Sequence, residues 1–206
     1  KLEEYQTFEE FYDGYKALLD YYLDLSVKAQ YHSYEVMNQH VSFLFTSLLT
    51  DDCIARGKAL LDGGVRYLGG TNETYGNINT SDSLWVIRDL VFNQKKYTLR
   101  QLNDAMLANF NGYEALRKDC LNCDKYGNDL ETADTMANDL YEFVAKGVRD
   151  RGIAIGMQYF LIVISNNQLN TEWGNRTAAS PDGRLSCMYM NPANNPQGGA
   201  NKSGPT

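Results

Sequence analysis

Four groups of residues have the types and spacing that chemistry uses. Cys120-Leu-Asn-Cys123 has the CxxC spacing of a redox dithiol or half a zinc site. No second such pair follows, and the only imidazoles are His32 and His40. The cysteines therefore read as two thiols at a helix end in a reducing compartment, and no metal is assigned. His32 and His40 read as hydrogen-bonded structural residues. Ser180-Pro181-Asp182-Gly183-Arg184 is turn chemistry: Pro presets φ, Asp bonds its own backbone, and Gly supplies φ > 0. Asp182 and Arg184 are expected to pair as ions and pin that turn, with a substrate contact for Arg184 as the lesser reading. Finally, Gln158, Tyr159, Ser165 and Asn166 are polar groups in an otherwise apolar run. They either satisfy backbone at strand ends or line a pocket.

These residues must be positioned by the elements around them. Thr7-x-x-Glu10 is a capping box, and Phe8, Phe11, Tyr15, Leu18, Tyr22 and Leu25 follow at helical spacing. The helix is expected to bend and continue through Val36 and Leu44. Asp51 or Asp52 is expected to cap a helix from Cys53 to Leu61, ended by Gly63-Gly64. Residues 68–80 read as an irregular loop, and Ser81-Asp82 as the cap of the next helix. Thr98-x-x-Gln101 is a second capping box. A helix from Thr132 is expected to stop at Gly147. Met157 to Ser165 is β-branched and aromatic, apolar on both faces, and reads as a buried strand. Along it either Gln158, Phe160, Ile162, Ile164 and Asn166 face inward, or Tyr159, Leu161, Val163, Ser165 and Asn167 do. Nothing else reads as a strong pairing strand. The isolated chain is therefore expected to self-associate through this strand or leave it poorly ordered. The segment after Asn191 reads as extended loop.

Several stretches, taken in order, resemble the glycyl radical enzymes of the pyruvate formate-lyase type. They are Asp51-Asp-Cys-Ile-Ala-Arg-Gly-Lys58 running into Gly63-Gly-Val-Arg-Tyr67, then the segment from Ser81 to Thr98, then Lys125-Tyr-Gly-Asn-Asp129. The strand, Thr177-Ala-Ala-Ser-Pro-Asp-Gly-Arg184 and Lys202-Ser-Gly-Pro-Thr206 complete the series. The resemblance spans roughly residues 50–206. It implies an α/β fold, here a mainly helical segment with at least one buried strand, within a ten-stranded α/β barrel. It implies one partial domain over 1–206, with a helical part (1–147) and then strand, turn and Gly/Pro-rich tail (148–206). It also implies an internal piece lying between a thiyl-cysteine loop and a glycyl-radical loop. Neither loop motif is present, so no catalytic residue is assigned. Residues 185–190, Leu-Ser-Cys-Met-Tyr-Met, depart from the small-residue segment usual after this turn.

By the same resemblance the parent is an anaerobic, cytoplasmic lyase, dehydratase or formate-lyase-like enzyme acting on a small polar metabolite. Its glycyl radical is installed by a radical S-adenosylmethionine activating enzyme. This chain binds no cofactor and supplies scaffold and possible pocket wall. Its partners are the remainder of the parent chain, the activase and further copies of itself. The alternative is a non-catalytic relative, a binding or scaffold protein that kept the fold without the radical loops. Composition agrees. The 206 residues carry a net charge of −7, which disfavours nucleic acid and anionic membranes. No apolar run reaches the roughly 18 residues of a spanning helix.

Overall fold

The computed structural model describes residues 2–163 and 168–204. They form two compact units: one of Lys1–Lys16, Glu73–Glu142 and Ile164–Thr206, the other of Ala17–Asn72 and Phe143–Val163. Two of the unit boundaries fall within long helices, α1 (Phe8–His40) and α7 (Glu131–Ala154). Among the described residues, no helix is long and apolar enough to cross a membrane.

Helix α1 opens with the predicted box. Glu10 N donates to Thr7 Oγ1 (3.2 Å) and Thr7 N to Glu10 Oε2 (3.3 Å). The expected break follows at Ser42 and Phe43, both at positive φ, and α2 (Leu44–Leu49) continues. Helix α3 (Cys53–Arg56) is shorter than its pattern predicts, because Gly57 turns left-handed and closes it. Asp52 does not cap it. Its carboxylate bridges Arg66 (2.9 Å) and Arg56 (3.2 Å) instead.

Residues 68–80 are not a loop. They contain strand β1 (Gly69–Glu73) and the start of α4 (Asn77–Val86), which continues as a π-helical segment, Ile87–Asn93. Ser81 and Asp82 therefore lie inside α4, buried, rather than at its cap. Helix α5 (Leu99–Leu107) has the predicted box in full, with Thr98 and Gln101 exchanging bonds. Next come α6 (Glu114–Asn122) and α7. Gly147 does not stop α7. A Cβ there would sit 2.8 Å from Leu23 Cδ1, so this glycine serves the close approach of α1.

Strand β2 (Tyr159–Val163) starts later than predicted and pairs with β1 in a two-stranded parallel sheet. The expectation of an unpaired strand fails on that edge. It is also not apolar-buried on both faces: Phe160 is 2% exposed, whereas Tyr159 and Leu161 are 38% and 53% exposed. Gly69-Gly70 is a poor strand former by propensity, yet its bareness is what the pairing needs. A Cβ on Gly69 would lie 2.3 Å from the Tyr159 ring, and one on Gly70 2.4 Å from the Phe160 ring. Tyr34 adds a tie, its hydroxyl donating to Gly69 O (3.0 Å). The last helix is α8 (Leu169–Asn175). Gly70→Ala should cost about 1–3 kcal/mol by overpacking, and less in a Phe160→Leu background. Urea unfolding of the four proteins of that cycle measures the coupling; strict additivity would refute the ring contact.

Candidate functional site

The Ser180–Arg184 turn closes as its residues dictate. Gly183 N donates to Ser180 O (3.0 Å) and Ser180 N to Arg184 O (3.0 Å). Only Gly183 has positive φ (+94°), so the turn is of the type that takes Pro second and Gly last. The expected Asp182–Arg184 ion pair does not form. Asp182 Oδ1 accepts from Ser180 Oγ (2.5 Å) and Arg184 N (3.2 Å), and Oδ2 accepts from Asn79 Nδ2 (2.6 Å). The Arg184 guanidinium instead reaches four different oxygens. It donates to Ala178 O, Leu185 O (3.2 Å), Met188 O (2.8 Å) and Ser180 Oγ (3.2 Å). A planar fork with five donors does this and a lysine does not. Burial pulls the Arg184 pKa down, without displacing its charge at neutral pH.

Helix α4 supplies the other half of the cluster. Ser83 Oγ accepts from Asp182 N (3.2 Å), and Asn79 Oδ1 accepts from Asn191 N (2.8 Å). One helical turn on from Asn79, the Asp82 side chain is 1% exposed. Its Oδ1 accepts from Tyr126 N (2.9 Å), while Oδ2 is buried without a hydrogen-bond partner. Burial pushes its pKa from 3.8 up to about 7.

The 125–129 turn is tied to the same place. Lys125 is buried and donates Nζ to Cys120 O (2.5 Å) and Cys123 O (3.1 Å), closing the C-terminal end of α6. Asn128 holds the tail: its Nδ2 donates to Ala200 O (3.0 Å), and its Oδ1 accepts from Lys202 N (2.7 Å) and Ser203 N (3.2 Å). Pro205 and Thr206 lie outside the described residues. Together α4, α6, both turns and the tail enclose a cavity of about 300 Å³ whose wall includes Asp82, Arg117, Lys125, Asp182, Arg184 and Lys202.

Gln158 and Tyr159 belong to the other unit. Gln158 Oε1 accepts from Leu68 N (2.6 Å), and the residue lines an open polar cleft with Tyr34, Glu35 and Arg56. Tyr159 lies over Gly69. Ser165 and Asn166 fall outside the described residues. The CxxC pair sits at the end of α6 as expected, but burial raises the Cys120 pKa to about 12 and that of Cys123 to about 11. Both are protonated near neutrality and are poor nucleophiles or ligands in that form. Among the described residues, no cluster of three His, Cys, Asp or Glu converges on a metal position. Sequence reasoning missed Asn79, Asp82, Lys125 and Asn191 as a cluster. The residues 81–98 and 125–129 were conspicuous only through the family resemblance.

The chain belongs to the pyruvate formate lyase-like family, whose model matches residues 1–169. The chain is 30% identical to trans-4-hydroxy-L-proline dehydratase of Clostridioides difficile, over 98% of its own length and 26% of that protein. The B12-independent glycerol dehydratase from Clostridium butyricum superposes with a TM-score of 0.92 at 28% identity, covering 99% of this chain and 26% of the dehydratase. A glycyl radical enzyme from Archaeoglobus fulgidus gives 0.86 at 26% identity, over 95% of this chain and 25% of that one. The chain thus spans about a quarter of the length of these relatives. Its fold is that of the glycyl radical enzyme barrels.

Two outcomes follow. Arg184→Lys should lose about 2–4 kcal/mol, since buried carbonyls are left without donors. The exposed Arg176→Lys, which meets Glu172 and the Trp173 ring, should lose under about 1 kcal/mol; thermal melts compare them. For Asp82, the folded state keeps its proton to about pH 7 while the unfolded chain releases it near 3.8. Its contribution is therefore complete below about pH 4 and is lost as pH rises toward 7. Asp82→Asn should raise stability at pH 8 by on the order of 1–3 kcal/mol and change it little at pH 4. A Tm gain independent of pH would contradict this.

Proposed function

We propose that this chain is part of an anaerobic glycyl radical enzyme, a dehydratase or lyase acting on a small polar metabolite. Within it the chain serves as scaffold and contributes pocket wall through Gln158, Tyr159, Ser165 and Asn166. The observation that carries this reading is likeness along nearly the whole chain to the glycerol dehydratase, with the residues of every quoted motif in family order. The thiyl cysteine and radical glycine belong to other parts of the parent protein, and this chain alone is inactive. The contiguous apolar surface of Leu44, Phe45, Leu48, Leu49 and Ile54, each more than 60% exposed, supports packing against the remainder of that parent. The parent works in the cytoplasm, as a homo-oligomer, and depends on a radical S-adenosylmethionine activating enzyme.

Electron paramagnetic resonance of the full-length protein after anaerobic activation tests the reading. A carbon-centred doublet is expected. A silent spectrum, with the activase competent on another substrate protein, would overturn it.

A further inference from the structure

The cavity beside the Ser180–Arg184 turn has an imbalance of charge that the fold does not resolve internally. Four cations line it, Arg117, Lys125, Arg184 and Lys202. Among the described residues, none of the four lies within ion-pair distance of a carboxylate. Their known partners are neutral. Arg117 Nε donates to Gly183 O (2.9 Å), Lys125 to two carbonyls, and Arg184 to three carbonyls and a hydroxyl. Carbonyls satisfy hydrogen-bond geometry without cancelling a full charge.

The acids do not close the gap. Asp182 offsets one of the four charges by acting on Arg184, and its two oxygens are engaged with Asn79, Ser180 and Arg184 N. Asp82 belongs to the same wall, and among the described residues its fully buried Oδ2 has no donor to accept from. A buried carboxyl in that state is best kept protonated, and it then adds no negative charge to the wall. The Arg117 guanidinium and the Lys202 ammonium then face an electropositive chamber of about 300 Å³. That volume suits a guest of a few heavy atoms.

We propose that this cavity binds a small oxyanion, a carboxylate or a tetrahedral oxyanion, held by Arg117 and Lys202. The groups acting on Asp82 are Lys125, which favours its ionisation, and Asp182 and Asp134, which oppose it. The guanidinium groups of Arg117 and Arg184 and the Lys202 ammonium face the same space. The Asp82 proton is held to about pH 7, so binding should weaken as pH rises through that value.

Sulfate is the probe, because it stays a dianion across the range used. Calorimetric titration of the full-length protein should show sulfate binding about tenfold tighter near pH 6 than near pH 8. Arg117→Gln and Lys202→Gln should each weaken it about tenfold at both pH values. Asp82→Asn, which is uncharged at every pH, should keep binding and abolish its pH dependence. Acetate in a parallel titration separates a carboxylate site from a tetrahedral one, and tighter binding of either supports the proposal. No binding of either anion would overturn it. So would binding indifferent to Arg117→Gln and Lys202→Gln, or binding that strengthens with pH. If Asp82→Asn fails to fold, the two peripheral variants still decide. The outcome is independent of radical chemistry, since an electron-spin-silent protein would still bind sulfate.

Discussion

A buried charge must find donors or neutralise itself, and in this molecule that requirement assembles one unit. Asp82, Lys125, Asp182 and Arg184 are each no more than 6% exposed. Three of them draw on groups from another element. Asp182 takes Asn79 from α4, Lys125 takes the last carbonyls of α6, and Asp82 takes the amide that follows Lys125. The segments are held in place because removing any partner would strand a charge in a place water does not reach. Apolar packing by Ile78, Leu84, Leu102, Leu116 and Met136 supplies bulk stability, but many arrangements would satisfy it. The polar contacts are far less permissive.

This explains why the family motifs form a physical set. The Lys125–Asp129 turn clasps the tail through Asn128, and the Ser180–Arg184 turn docks on α4 through Asn79 and Ser83. Stretches that look independent along the sequence are halves of the same contacts. Arg184 shows the logic most plainly, since its role is to gather carbonyls from residues 178, 185 and 188. A charge pair across the turn, the simpler guess, would have left those carbonyls unpaired.

Much of this was legible beforehand, and the failures have physical causes. Both capping boxes, the bend after α1 and the existence of β2 follow from side-chain oxygens, apolar spacing and β-branching acting locally. The fold class came from motif order. Strand β1 was invisible because Gly-Gly-Thr-Asn-Glu has no strand propensity, and its pairing energy comes from β2. Gly147 looked like a stop because sequence cannot reveal that Leu23 presses against it. Ser81 and Asp82 looked like caps because such residues usually sit at helix ends. Their burial is a tertiary fact. The cavity was illegible for the same reason, as its charged residues lie up to 120 positions apart in sequence, from Asp82 to Lys202.

The glycine pair of β1 also acts as an index mark. Gly69 lies under Tyr159 and Gly70 under Phe160, one ring on each face of the ribbon. Sliding β2 by one residue in one direction would set Phe160 over Thr71, whose branched Cβ occupies the space the ring needs, and would turn the buried face outward. Two bare backbone positions thus accept one alignment of two large rings and reject its neighbour. A short sheet with little pairing strength of its own is protected against mispairing by the absence of side chains, and a chain that must find this alignment while still folding has few wrong answers to unlearn.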